Sequence, residues 1–155
     1  VTDFSDLVTP AAVQEGVTAA TRKAVLQQLG IVAADAYELD AKAVSDALAA
    51  REKLGSTAFG GGVALPHARI AGLTNVAGMF LQLARPIDFQ AIDDLPVDIV
   101  FALLSPPDAG AEHLKALARV SRAMRDRAFV AKLGGAGSPD AIYALLTADG
   151  ARDAA

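Results

Sequence analysis

A chain of 155 residues with 53% apolar and 21% charged side chains has the size and composition of one ordinary folded domain, which excludes an intrinsically disordered segment. A formal charge of −4 argues against general nucleic-acid binding, and the absence of cysteine excludes disulfides, thiolate chemistry and cysteine zinc sites. No apolar run approaches the ~18–20 residues of a membrane span, and VTDFSDLV has neither the basic start nor the apolar stretch of a secretory signal, so a cytoplasmic protein without membrane insertion is expected.

Thr9-Pro10 reads as a turn or short helix start, and Val13 to Val17 as an edge strand. Thr18 is suited to cap a helix through Ala34, whose apolar positions Val25, Leu29, Val32 and Ala33 follow the helical period. Asp40 caps a second helix through about Lys53, with Val44, Ala47 and Leu48 on one face, and Gly55 ends it. After Gly60-Gly61-Gly62 the period changes. Val63 to Leu65 is a short strand stopped by Pro66, which cannot donate a ladder hydrogen bond. Val76 to Leu83 and Val97 to Leu104 read as central strands covered on both faces, with Arg85–Pro96 as the loop between them. Ser105-Pro106-Pro107-Asp108 leads into a helix from about Ala111 to Met124. A shorter helix follows, then a turn at Gly134–Gly137, and Ser138 caps a last helix through Leu146. Interleaved helices and strands predict the α/β class: a single three-layer domain over residues 1–155, helices on both faces of a small sheet, and a frayed tail from about residue 149.

Only His67 and His113 are suited to covalent or proton chemistry near neutral pH. Pro66 presents His67 at a strand end, where a neutral imidazole is a competent nucleophile; the alternative is an ordinary hydrogen-bonded surface histidine. His113 falls in the first turn of its helix, on the stripe of Leu117, Val120 and Met124. A ring there needs a partner, either the backbone or another functional group across the sheet edge. Arg51 continues the apolar stripe of Val44 and Leu48, so it either meets an anion, phosphate suiting its fork best, or extends its stem to water. Ser56 and Thr57 add hydroxyls at the same turn, as caps or as donors to phosphate oxygens.

The glycine run is either a flexible turn or an anion cradle of converging amides. It lacks the Gly-Lys-Ser/Thr of a P-loop, and the strand and helix around it stand in the wrong order for a dinucleotide fingerprint. Asp93-Asp94 reads as a solvated acidic pair with no companions for a divalent metal, and Arg119, Arg122, Arg125 and Arg127 as a solvated helix face.

GSTAFGGGVALPH, preceded by REKL, resembles the phosphorylation-site signature of enzyme IIA domains of the fructose/mannitol class in the bacterial phosphoenolpyruvate-dependent phosphotransferase system. The resemblance covers nearly the whole chain, and PIDFQAIDDLPVDIVFALLSPPD followed by HLKALARVSR is similar to its nitrogen-regulatory branch. Ala58 stands where the family usually has glycine, and Phe59 where it has a branched aliphatic. An alanine forced to positive φ would cost about 1 kcal/mol.

The resemblance implies a mixed sheet of about five strands between helices. It also implies a phosphotransferase component in which His67 accepts a phosphoryl group from a small histidine phosphocarrier protein and later gives it up. His113 matches the family's second histidine, which bonds a phosphate oxygen or orients the ring. Arg51, Ser56, Thr57 and the turn amides at Gly61 and Gly62 would supply further donors, with no metal and no cofactor. The carrier would dock on a shallow patch rimmed by Phe59, Ala64, Leu65, Ala68 and Ile70. A nitrogen-type regulator would act on protein targets in potassium transport or nitrogen control through its phosphorylation state. The competing expectations are a sugar-specific IIA component that passes phosphate to a IIB domain, and a binding module without transfer chemistry.

Overall fold

Side-chain caps start four of the five helices in the computed structural model, which describes residues 2–147. Thr21 accepts from the Ala24 amide at the start of α1 (Arg22–Tyr37), and Asp40 accepts from Ala43 at the start of α2 (Ala41–Lys53). Asp126 caps α4 (Arg127–Gly135), and Ser138 caps α5 (Pro139–Leu146), whose proline supplies a preset torsion where no amide is needed. Only α3 (Ala111–Met124) starts without such a bond, at Gly110. The expected cap at Thr18 is incorrect. Thr21 takes that role, and α1 runs past Ala34 until Glu38 adopts a left-handed conformation and returns its amide to Ala33 and Ala34. The tail expected to fray from about residue 149 lies outside the described residues.

The sheet is mixed, as expected, and has six strands, because Ala58–Arg69 forms three short strands where one was expected. Gly61 and Gly62, with φ of 69° and 82°, make a tight turn that folds β2 (Ala58–Gly60) back on β3 (Val63–Ala64). Pro66 interrupts the ladder, yet its carbonyl accepts from Leu103 at 2.9 Å, so the chain stays alongside its neighbour and resumes as β4 (His67–Arg69). The long strands are β5 (Ala77–Ile87) and β6 (Val97–Ser105), paired antiparallel. β5 passes through Arg85 and Pro86, which sequence reasoning assigned to a loop. Residues 84–86 are exposed and fall in a register shift, where a proline is tolerated.

The order is β1 (Val13–Val17), β5, β6, β3, β2, with β4 also pairing to β6, and a 3-10 turn at Pro10–Ala12 precedes β1. Helices α1 and α2 pack as a pair, touching β5 and β4, while α3 and α4 lie on β6 and α5 on β1. The central strands carry the core: Phe80, Leu81, Ile99, Phe101, Leu103 and Leu104 are fully buried. Each such side chain contributes ~1.5–3 kcal/mol relative to exposure. Buried Gln82 donates its side-chain amide to the carbonyls of Leu133 and Ala136, both at 2.9 Å, which pins the end of α4 to β5.

Candidate active site

His67 opens β4 directly opposite Leu103 of β6 and is half-buried. It therefore begins a new strand, β4, rather than marking the end of the strand that Pro66 was expected to stop. Its Nδ1 lies 2.9 Å from the carbonyl oxygen of Leu65, which can only accept, so Nδ1 carries the hydrogen. Nε2 is then the lone-pair nitrogen, and it accepts from Nε of Arg51 at 3.3 Å. Burial pushes the ring's pKa below its ordinary value of 6.5. The Leu65 carbonyl opposes that shift and the Arg51 charge adds to it. A neutral ring results, with its one lone pair bonded to a guanidinium.

Arg51 reaches this position from the last turn of α2, and its Nη1 also donates to the Gly55 carbonyl at 2.9 Å. Both acceptors are neutral, and Arg51 joins none of the ion pairs formed among the described residues. His113 is buried with Val120 and Met124 as its spacing predicts, while Ala116 is the buried stripe member in place of Leu117, which is half-buried. Its partner is a side chain: Nδ1 lies 2.6 Å from the hydroxyl of fully buried Ser105. The His113 and His67 rings are 5.8 Å apart between centroids and tilted by 53°. Burial lowers the pKa of His113 too, followed by the charge of Arg69 and then that of His67.

Two residues here escaped sequence reasoning. Arg69 sits two positions beyond His67 in β4, and the alternation of a strand would have placed both on one side. Glu52 is 4% exposed, accepts from the amide and hydroxyl of Thr57, and pairs with Arg22 at 3.6 Å. Its position four residues after Leu48 marked it for burial as clearly as the step of three marked Arg51.

Other expected donors are engaged elsewhere. The Ser56 hydroxyl donates to the Phe89 carbonyl at 2.7 Å and accepts from the Ala58 amide, while the Thr57 hydroxyl is taken by Glu52. The glycine turn is not at the imidazole. The Gly62 carbonyl meets the amides of Asp98 and Ile99 at the start of β6, whereas His67 pairs near its end. The five-residue offset from Asp98 to Leu103 is roughly 16 Å of strand. An anion does sit on the turn: Asp93 accepts from the Gly61 amide at 2.9 Å and from Leu95 at 3.1 Å, bonds that hold its carboxyl below the usual range. Asp93 is thus a latch, not the merely solvated acid expected.

Ala58 forms an ordinary strand pair with Ala64 and avoids positive φ, so the feared strain does not arise. Phe59 packs under the guanidinium of Arg125, 4.8 Å from its ring centroid. Arg119 binds Asp6 at 2.8 Å and lies over Phe4, so two of the four clustered arginines are not simply solvated. Ala64, Leu65 and Ile70 are buried and cannot rim a docking patch. Exposed instead are Leu54, which ends α2 beside Arg51's turn, and Leu114, next to His113, at 84% and 65%.

The whole length carrying this arrangement, residues 6–149, matches the family described as "Phosphoenolpyruvate-dependent sugar phosphotransferase system, EIIA 2". The chain belongs to this family. Over 143 residues it is 45% identical to the "Nitrogen regulatory protein" of Bradyrhizobium diazoefficiens, covering 92% of this chain and 94% of that one. It is 41% identical over 145 residues to the protein of the same name from Pseudomonas aeruginosa, with the same shares covered. The crystal structure of nitrogen regulatory protein IIA-Ntr from Neisseria meningitidis superposes with a TM-score of 0.85 at 31% identity, covering 92% of this EIIA chain and 97% of its own. The chain is a IIA-type component of the phosphotransferase system. Among its described residues no helix is long and apolar enough to cross a membrane, and no group of three or more His, Cys, Asp or Glu could hold a metal ion.

Proposed function

We propose that this EIIA domain is a nitrogen-regulatory phosphocarrier that accepts a phosphoryl group on Nε2 of His67. The observation that carries the reading is the fixed tautomer: Leu65 holds the proton on Nδ1, which leaves the lone pair of Nε2 beside Arg51. A small histidine phosphocarrier brings its phosphorylated ring in line with that lone pair. The Nε2–P bond forms as the donor's N–P bond breaks, and the released electron pair returns to the donor ring nitrogen. As the bond forms, positive charge develops on the His67 ring, and the Leu65 carbonyl already faces the Nδ1–H that carries it. Arg51 gives up the ring nitrogen and binds a phosphoryl oxygen, while His113 offers a second contact from the neighbouring ring.

The regulatory role is supported by likeness to proteins named for nitrogen regulation over more than nine-tenths of the chain. Its targets, in potassium transport or nitrogen control, would read whether His67 is modified. Leu54 and Leu114 supply the exposed apolar contacts for the carrier. The test is incubation with phosphoenolpyruvate, enzyme I and a histidine carrier, followed by mass spectrometry and nitrogen-edited NMR. An acid-labile gain of one phosphate on Nε2, absent from His67→Ala, is expected. A gain that persists in His67→Ala removes the acceptor assignment. Faster loading from the sugar-type carrier than from the nitrogen-type carrier would make the chain a sugar-specific component that feeds a IIB domain.

A further inference from the structure

Arg69 has no role in the transfer just described, yet its position in the sheet is closely defined. The register sets His67 opposite Leu103 and Arg69 opposite Ser105, and the Ser105 hydroxyl holds His113. Side chains two apart on a strand share a face, so Arg69 stands on the face that carries both imidazoles. Its Nη2 reaches the carbonyl of Ala109, just before α3, through a 3.3 Å bond at an exposed position. It joins none of the ion pairs formed among the described residues. A cation beside two neutral rings disfavours their protonation, and after burial the Arg69 charge is among the causes that lower both pKa values. In the unmodified protein this guanidinium therefore has no ion-pair partner among the described residues, and Arg51, bonded to the His67 ring, is a second such guanidinium.

A phosphoryl group on Nε2 brings up to about two negative charges to that spot. One arginine matches half of them. We propose that Arg69 is the second guanidinium of the phosphoryl site: on modification of His67 it exchanges the Ala109 carbonyl for a phosphoryl oxygen, opposite the oxygen held by Arg51. This rests on His67 being the acceptor. The Ala109 bond holds the fork at the start of α3, and the exchange trades a neutral acceptor for a charged one. Arg69 would then set how tightly the phosphoryl group is kept relative to the donor carrier.

The transfer equilibrium between phosphorylated carrier and this protein, read by quantitative mass spectrometry, tests this in wild type, Arg69→Gln and Arg69→Lys. Loss of one charge-assisted bond is expected to shift the equilibrium towards the carrier by about tenfold or more in Arg69→Gln. Arg69→Lys, which keeps the charge without the fork, should recover most of that shift. A packing role would not distinguish lysine from glutamine in this way. An unchanged equilibrium in Arg69→Gln overturns the assignment of Arg69 while leaving His67 as the acceptor. Equal losses in both variants also overturn it, since charge would not be the agent. Wild type that takes no phosphate at all would remove both assignments together.

Discussion

The hydrogen on Nδ1 of His67 decides the chemistry available to this site. Because burial keeps the ring neutral, with the Arg51 charge adding to the effect, the nucleophilic form is already dominant at neutral pH. The sign follows directly: protons compete for the Nε2 lone pair only below the depressed pKa. Phosphoryl acceptance should be flat from about pH 7 to about pH 8 and fall on acidification, with a midpoint below the ordinary ~6.5 of histidine. Rates of single-turnover loading across that range check this, and a midpoint above 6.5 would show a ring stabilised in its charged form. At Asp93 the prediction is the opposite kind. Asp93→Asn weakens the latch on the glycine turn, yet that turn lies at the far end of β6, so loading of His67 should stay within about twofold of wild type. A large loss would mean that the turn reaches the phosphoryl group after all.

Helix α2 decides the geometry around the imidazole. It lays Arg51 against the imidazole and is itself set by close approach to α1. A Cβ added at Gly30 would lie 2.4 Å from the Ala41 carbonyl oxygen, a backbone atom that cannot swing aside. Gly30→Ala should therefore destabilise the fold by ~1–3 kcal/mol through overpacking, although alanine favours a helix intrinsically; urea unfolding reads the difference. Thr57→Val removes the hydroxyl that satisfies buried Glu52 and should cost a further ~1–3 kcal/mol by the same measurement. Much of this layer was legible in the sequence. Asp40, Ser138 and the Ala111–Met124 span stand where cap chemistry and period put them, and so does β1. Of the three short strands around Pro66, β3 was legible as the run from Val63 to Leu65, whereas β2 and β4 were not, because three-residue strands show no period and owe their existence to pairing with β3 and β6. For the same reason the glycine run was linked by sequence proximity to a histidine it does not touch. The hydroxyls of Ser56 and Thr57 had ready local acceptors in Phe89 and Glu52, which sequence adjacency alone does not show.

Across the whole molecule, the two histidines are linked to stability as well as to chemistry. Both are held below their ordinary value, so the folded chain refuses protons that the unfolded chain takes. Their contribution to stability is complete above about pH 6.5 and is lost progressively as the pH falls below it. Urea midpoints at about pH 7.5 and about pH 5.5 should thus differ more in wild type than in a His67→Gln, His113→Gln double variant. The spacing of the two rings also has a single reference. His67 is registered on Leu103, and His113 hangs from Ser105, two residues further along the same central strand. The connection at 71–76 crosses the surface between β4 and β5 and sets neither position. Extra residues spliced into that connection would leave the imidazole pair at its native distance, whereas one residue inserted between Leu103 and Ser105 would pull the pair apart.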